Sequence, residues 1–125
     1  MTEKNDPQGQ VGSTSPGWFD ISTPEPDRTK EFYSGLFGWK IHTLDGNYAL
    51  VGSGDGPPAG GIGTAGPNSP YLGLVVYFPV PDVDAALARA EELGGTRVME
   101  PQSTGDERIA AFTDPDGNTV GLIGP

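Results

Sequence analysis

The chain has 125 residues, with 17 acidic against 7 basic side chains for a formal net charge of -10, and it contains no cysteine. That length suits one domain with a real core. Thiol nucleophiles, disulfides, thiolate metal sites and iron–sulfur clusters are excluded by inventory, and the acidic field repels phosphate backbones and anionic membranes, so neither nucleic acid nor a membrane is an expected partner.

Residues 1–16, MTEKNDPQGQVGSTSP, offer only Val11 as a sizeable apolar side chain, too little to offset the entropy of ordering, and read as a disordered tail. No apolar run resembles a signal peptide or a membrane span, so the expected location is the cytoplasm. A strand is expected over Trp18–Ser22. In the helix that follows, Pro24 and Pro26 fit only the first turn, Asp27 complements the N-terminal dipole, and Phe32, Tyr33, Leu36 and Phe37 form the stripe expected to be buried. Strands Trp39–Leu44 and Tyr48–Gly52 flank the turn signal Asp45-Gly46, and a glycine-rich strand covers Ala59–Gly63. Gly61 to Gly66 spells GxGxxG, but Pro67-Asn68-Ser69-Pro70 forbids the helix that a dinucleotide site needs.

Beyond a strand at Leu72–Val80, Asp82 is placed to cap a second helix, with Val83, Leu87, Ala90 and Leu93 on one face and Gly94-Gly95 as its stop. Thr96–Met99 is the next strand. The segment Glu100–Glu107 is flexible by composition and reads as a loop able to close over a site. Strands Ile109–Thr113 and Thr119–Ile123 flank the turn Asp116-Gly117. Asp114, Asp116 and Asn118 do not make a calcium loop, because the glycine at 117 comes too early and no twelfth-position acid follows.

A shift of 57 positions lays TPEPDRTKEFYSGLFGWKI at 23–41 over VPDVDAALARAEELGGTRV at 80–98, matching Pro24 with Pro81, Asp27 with Asp84, Leu36 with Leu93 and Gly38 with Gly95. Both copies follow one plan of strand, helix, glycine stop and further strands. With EFYSGLFGW at 31–39 and DPDGN at 114–118, this doubled βαβββ plan resembles the vicinal oxygen chelate superfamily, which includes glyoxalase I, the bleomycin-resistance proteins and the extradiol dioxygenases. The resemblance covers residues 17–125. It implies an α+β fold of two tandem modules, about 17–66 and 71–125, whose curved sheet forms a cup, and a homodimer.

In metal-using members the ligands come from the first and last strand of each module. The resemblance maps these positions onto Trp18, Gly61, Val75 and Gly121, none of which carries a suitable donor, so neither a metal nor another cofactor is expected. His42, the only histidine, lies outside that set and reads as a surface or hairpin residue.

Asp20 alternates with Trp18 and so shares its face of the first strand. A carboxylate there needs either a partner, for which Arg28 and Arg108 are the candidates, or a raised pKa that would suit it to acid–base work or to anchoring a ligand. Trp18, Trp39, Tyr48, Tyr71, Tyr77 and Phe112 are the aromatics set to line or rim a cavity, with core packing as the competing role, and Arg108 is the candidate cation for an anionic ligand, with a surface salt bridge as its alternative. Of these Trp39 reads as core, as do Phe32 and Phe37.

The leading expectation is a metal-free module that takes a small, partly aromatic organic molecule into the cup, as drug-sequestering relatives do. The alternative is a metal-independent lyase, isomerase or cyclase with Asp20 and a tyrosine as acid and base. A metal-dependent enzyme would have to draw displaced ligands from Asp20, His42 and the Glu100–Glu107 segment. A regulatory domain without a ligand has no positive signal.

Overall fold

A computed structural model of the chain describes residues 12–125. Eight strands and two helices follow one another as β1 (Trp18–Thr23), α1 (Pro26–Phe37), β2 (Lys40–Asp45), β3 (Tyr48–Gly52), β4 (Gly60–Thr64), β5 (Gly73–Pro79), α2 (Val83–Glu92), β6 (Thr96–Thr104), β7 (Glu107–Thr113) and β8 (Thr119–Gly124). This is an α+β chain with the βαβββ plan twice over. Of the predicted tail, residues 1–11 lie outside the described residues. Residues 12–16 are exposed coil, with the Thr14 hydroxyl donating to the Pro79 carbonyl at 2.6 Å. The chain divides into compact units, one formed by Gly17–Val76 and one holding Tyr77–Pro125; the division falls inside β5.

In the first unit the strand order is β2-β3-β4-β1, with β1 parallel to β4 and the other neighbours antiparallel. Alternation along β1 sends Phe19 and Ile21 to the side of α1, where Ile21, Val51 and Ile62 are buried with Phe19, Tyr33, Trp39 and Ile41 packed on them. Trp39 stacks on Phe19 at 5.1 Å and on Tyr33 at 4.9 Å. Pro26 occupies the first turn of α1, where its missing N–H costs nothing. Gly38, at φ 69°, ends the helix and donates its N–H to the Ser34 carbonyl. The expected buried stripe of α1 is corrected here: Phe32, Leu36 and Phe37 are each about three-fifths exposed. Tyr33 takes the place against the sheet, and Phe32 and Phe37 pack on the rings of Tyr33 and Trp39 instead.

The second unit repeats this order as β5-β8-β7-β6. Asp82 caps α2 as predicted, its carboxylate accepting from the Ala85 N–H at 3.0 Å. Val83, Ala86 and Leu87 close on Val80, Ala110 and Leu122, with Phe112 packed against them. Leu93, expected on the buried face, is the C-cap residue and is exposed, because the helix ends before its next turn could face the sheet.

The expected loop at Glu100–Glu107 is also corrected. β6 runs on to Thr104 and pairs with β7 at Gln102–Ile109, Ser103–Arg108 and Thr104–Glu107, and Gly105 at φ 61° makes the tight turn. Backbone pairing outweighs the polar composition, and Pro101, which has no N–H to give, falls where the register shifts between Met99 and Gln102.

Candidate functional site

The side of the first-unit sheet away from α1 is set by the same alternation that builds the core. Trp18 and Asp20 on β1, Tyr48 and Leu50 on β3, and Lys40 and His42 on β2 all face away from the Ile21–Val51–Ile62 cluster. Asp20 is half-buried there. Its carboxylate oxygens accept one phenol each: the Tyr48 hydroxyl donates to Oδ1 at 3.0 Å and the Tyr71 hydroxyl to Oδ2 at 2.8 Å. Burial pushes the Asp20 carboxyl above its ordinary value, while the hydrogen bonds from Tyr71 and then Tyr48 pull the other way. Of the alternatives open to this carboxylate, neither Arg28 nor Arg108 is its partner; its pKa is raised, and two phenols hold it.

Glycines make this arrangement possible. Asp20 stands opposite Gly61 on β4, and Gly61 opposite Leu50 on β3. The Tyr48 ring reaches Asp20 by lying across Gly61 and Gly63, so closely that a Cβ at Gly61 would overlap the Tyr48 hydroxyl. The second unit has a counterpart. Tyr77 on β5 is opposite Gly121 on β8 and is buried, and its ring fills the space that a Cβ at Gly121 would need. In the repeat, Tyr77 stands where the first unit has Asp20. A tyrosine ring thus covers the last-strand glycine in each unit.

Other predicted residues go elsewhere. Phe112 faces α2 within the Leu87 and Leu122 cluster, where it lines a mainly apolar groove of about 300 Å³ with Ala86, Ala90, Leu93 and Pro115. Arg108 pairs with Asp84 at 2.9 Å. Both sit on the helix-covered side of β7, since Ala110 between them in the alternation is core. Asp114 accepts from the backbone N–H groups of Asp116 and Asn118, so its oxygens tie the turn before β8. Sequence reasoning missed the Tyr48–Asp20–Tyr71 connection. The available signal was the spacing of Gly61 and Gly63, two same-face glycines on one strand that leave room for a ring from the neighbouring strand.

A family model described as the Glyoxalase/Bleomycin resistance protein/Dioxygenase superfamily matches residues 15–122. The chain belongs to that superfamily. Among relatives of this superfamily member, the anthracycline biosynthesis protein DauV of Streptomyces sp. (strain C5) is 32% identical over 122 residues, covering 82% of this chain and 44% of the relative. The chain therefore spans less than half the length of that curated relative. An extradiol ring-cleaving dioxygenase from B. fuscum superposes with a TM-score of 0.66 at 18% identity, covering 96% of this chain and 35% of that one. A superfamily member from Vibrio splendidus 12B01 superposes with a TM-score of 0.60 at 12% identity, covering 86% and 96%. These structural likenesses are likenesses of fold.

For a superfamily member, the donor set decides whether a metal fits. The mapped positions Trp18, Gly61, Val75 and Gly121 bring no oxygen or imidazole donor. Gly61 and Gly121 lie beneath tyrosine rings, and Val75 is buried. Among the described residues no group of three or more His, Cys, Asp or Glu gathers in a metal-holding arrangement. The superfamily metal does not fit these residues, and what remains at the site is a carboxyl, two phenols and an indole. No helix among the described residues is long and apolar enough to cross a membrane.

Proposed function

We propose that this domain binds a small, partly aromatic organic molecule on the Asp20 face of its first unit, using its own side chains in place of a metal, as a sequestering or resistance-type protein does. The observation that carries the reading is the Asp20 carboxyl held between the Tyr48 and Tyr71 hydroxyls. A half-buried acceptor beside Trp18 and two phenol rings matches a flat ligand bearing an O–H or N–H donor, which would exchange with one phenol at the carboxylate. Similarity to an anthracycline biosynthesis protein supports a biosynthetic organic ligand. A homodimer accompanies the proposal.

Native mass spectrometry of the untagged protein reads ligand and assembly together. A dimer that retains an organic adduct, with adduct affinity at least tenfold weaker in Asp20→Asn, is the expected result. An adduct held equally well by Asp20→Asn overturns the role given to Asp20.

A second reading rests on the raised pKa of Asp20: a metal-independent lyase, isomerase or cyclase in which the carboxylate takes a proton and a tyrosine hydroxyl supplies one. It makes the opposite demand of the same variant. Asp20→Asn would then abolish turnover and leave ligand affinity nearly intact, a separation of kcat from KM that pure binding does not produce.

A further inference from the structure

At the far edge of the same sheet face lies a second group of side chains. Lys40 and His42 alternate around Ile41, which packs with the α1 cluster, so both project on the Asp20 side of β2. The registers line up across the unit: His42 opposite Leu50, Leu50 opposite Gly61, and Gly61 opposite Asp20. Three strand spacings of ~4.8 Å put about 14 Å between the backbones of His42 and Asp20. Lys40 heads the neighbouring row, opposite Gly52.

A groove of about 260 Å³ lies at the β2 end, lined by Lys40, His42, Leu50, Gly52, Gly54 and Pro58 among others. The Lys40 stem lies against Gly54, where a Cβ would collide with its Cγ, so the loop at Gly54 supports the side chain. Arg89, Arg97 and Arg108 are each ion-paired, whereas no ion pair with a described residue engages Lys40. In a chain with 17 acids and 7 bases, a lysine and a histidine stand side by side at this groove with no ion pair to a described residue, and Asp55, between the lining residues Gly54 and Gly56, is the acid of the same loop. Asp45, at the end of β2, accepts the backbone N–H groups of Asn47 and Tyr48 on its Oδ1.

We propose that the Lys40–His42 groove is an anion subsite for the ligand of the Asp20 face. The ligand is then a flat organic acid: its carboxylate meets Lys40 and His42, its ring crosses Leu50 beside the Tyr48 ring that covers Gly61, and an O–H or N–H at its other end donates to Asp20. This inference rests on the reading of the Asp20 face as the ligand face.

The probes are para-hydroxycinnamate and its methyl ester, identical except for the charge, titrated into the full chain by calorimetry. The acid is expected to bind at least tenfold more tightly than the ester. Lys40→Gln combined with His42→Gln brings the acid down to the affinity of the ester; both side chains are exposed, so the core is untouched. Equal affinity of acid and ester, an unchanged preference in the double variant, or no binding of the acid at millimolar concentration overturns the subsite. If the acid keeps its Lys40- and His42-dependent preference but ignores Asp20→Asn, the subsite stands and the Asp20 reading falls. If the ester depends on Asp20 while the acid gains nothing, the Asp20 reading stands and the subsite falls.

Discussion

The Tyr71 and Tyr48 hydroxyls both favour the ionised form of Asp20, and burial favours the protonated one. Tyr71→Phe removes the larger of the two opposing hydrogen bonds. The NMR titration of the Asp20 carboxyl carbon should therefore move to higher pH than in the native chain, with a smaller move for Tyr48→Phe. Equal midpoints in all three proteins would contradict the assignment. Since folding raises the Asp20 pKa above its ordinary value of 3.8, the folded chain binds this proton more tightly than the unfolded chain. Its stabilising contribution is full below that ordinary value and is lost as pH rises through the folded one. The stability of Asp20→Asn relative to the native chain should accordingly grow as pH is raised from about 4 toward neutrality, as read by chemical denaturation. Period-two alternation made the face of Asp20 legible in the sequence. Its partners were not legible, because cross-strand registers decide which tyrosine comes within reach, and composition pointed to arginines that lie elsewhere.

Strand β8 shows how one missing side chain serves an element. Gly121→Ala would drive a methyl group into the Tyr77 ring, and overpacking of this kind costs about 1–3 kcal/mol. At Gly46, where a Cβ meets nothing within 4 Å, the same substitution should stay within about 0.5 kcal/mol. Parallel urea denaturation of the two variants checks the contrast; similar losses would mean that Tyr77 moves aside freely. Helix α2 was readable in advance because its cap, its apolar spacing and its stop all agree. Helix α1 was readable as a helix but not in its packing. Its aromatics are spaced for burial, yet Tyr33 and Trp39 occupy the place against the sheet, and Phe32, Leu36 and Phe37 remain exposed. The β6–β7 hairpin was missed because polar residues and Pro101 mask a pairing that the backbone makes around Gly105.

Across the whole molecule, a net charge of -10 sets acidic groups against one another, and the surface ion pairs of Arg89, Arg97 and Arg108 relieve little of it. Added salt should screen that repulsion: from ~10 mM to ~500 mM sodium chloride, the thermal midpoint should rise by a few degrees, and a fall would show that the ion pairs dominate. The doubled plan was visible in the sequence because each unit carries its own helix stop and turn signals. The shift of 57 that aligns β1 with β5 no longer holds at the last strands, since the β6–β7 hairpin is longer than its counterpart. The tyrosine-covered glycines also constrain how this chain can change. An acidic residue at Gly121, the simplest step toward a metal ligand, would be harmful while Tyr77 is present and tolerable only after that ring has been replaced by something smaller. The order of mutations then matters more than their number, because a single cross-strand pair builds sign epistasis into position 121.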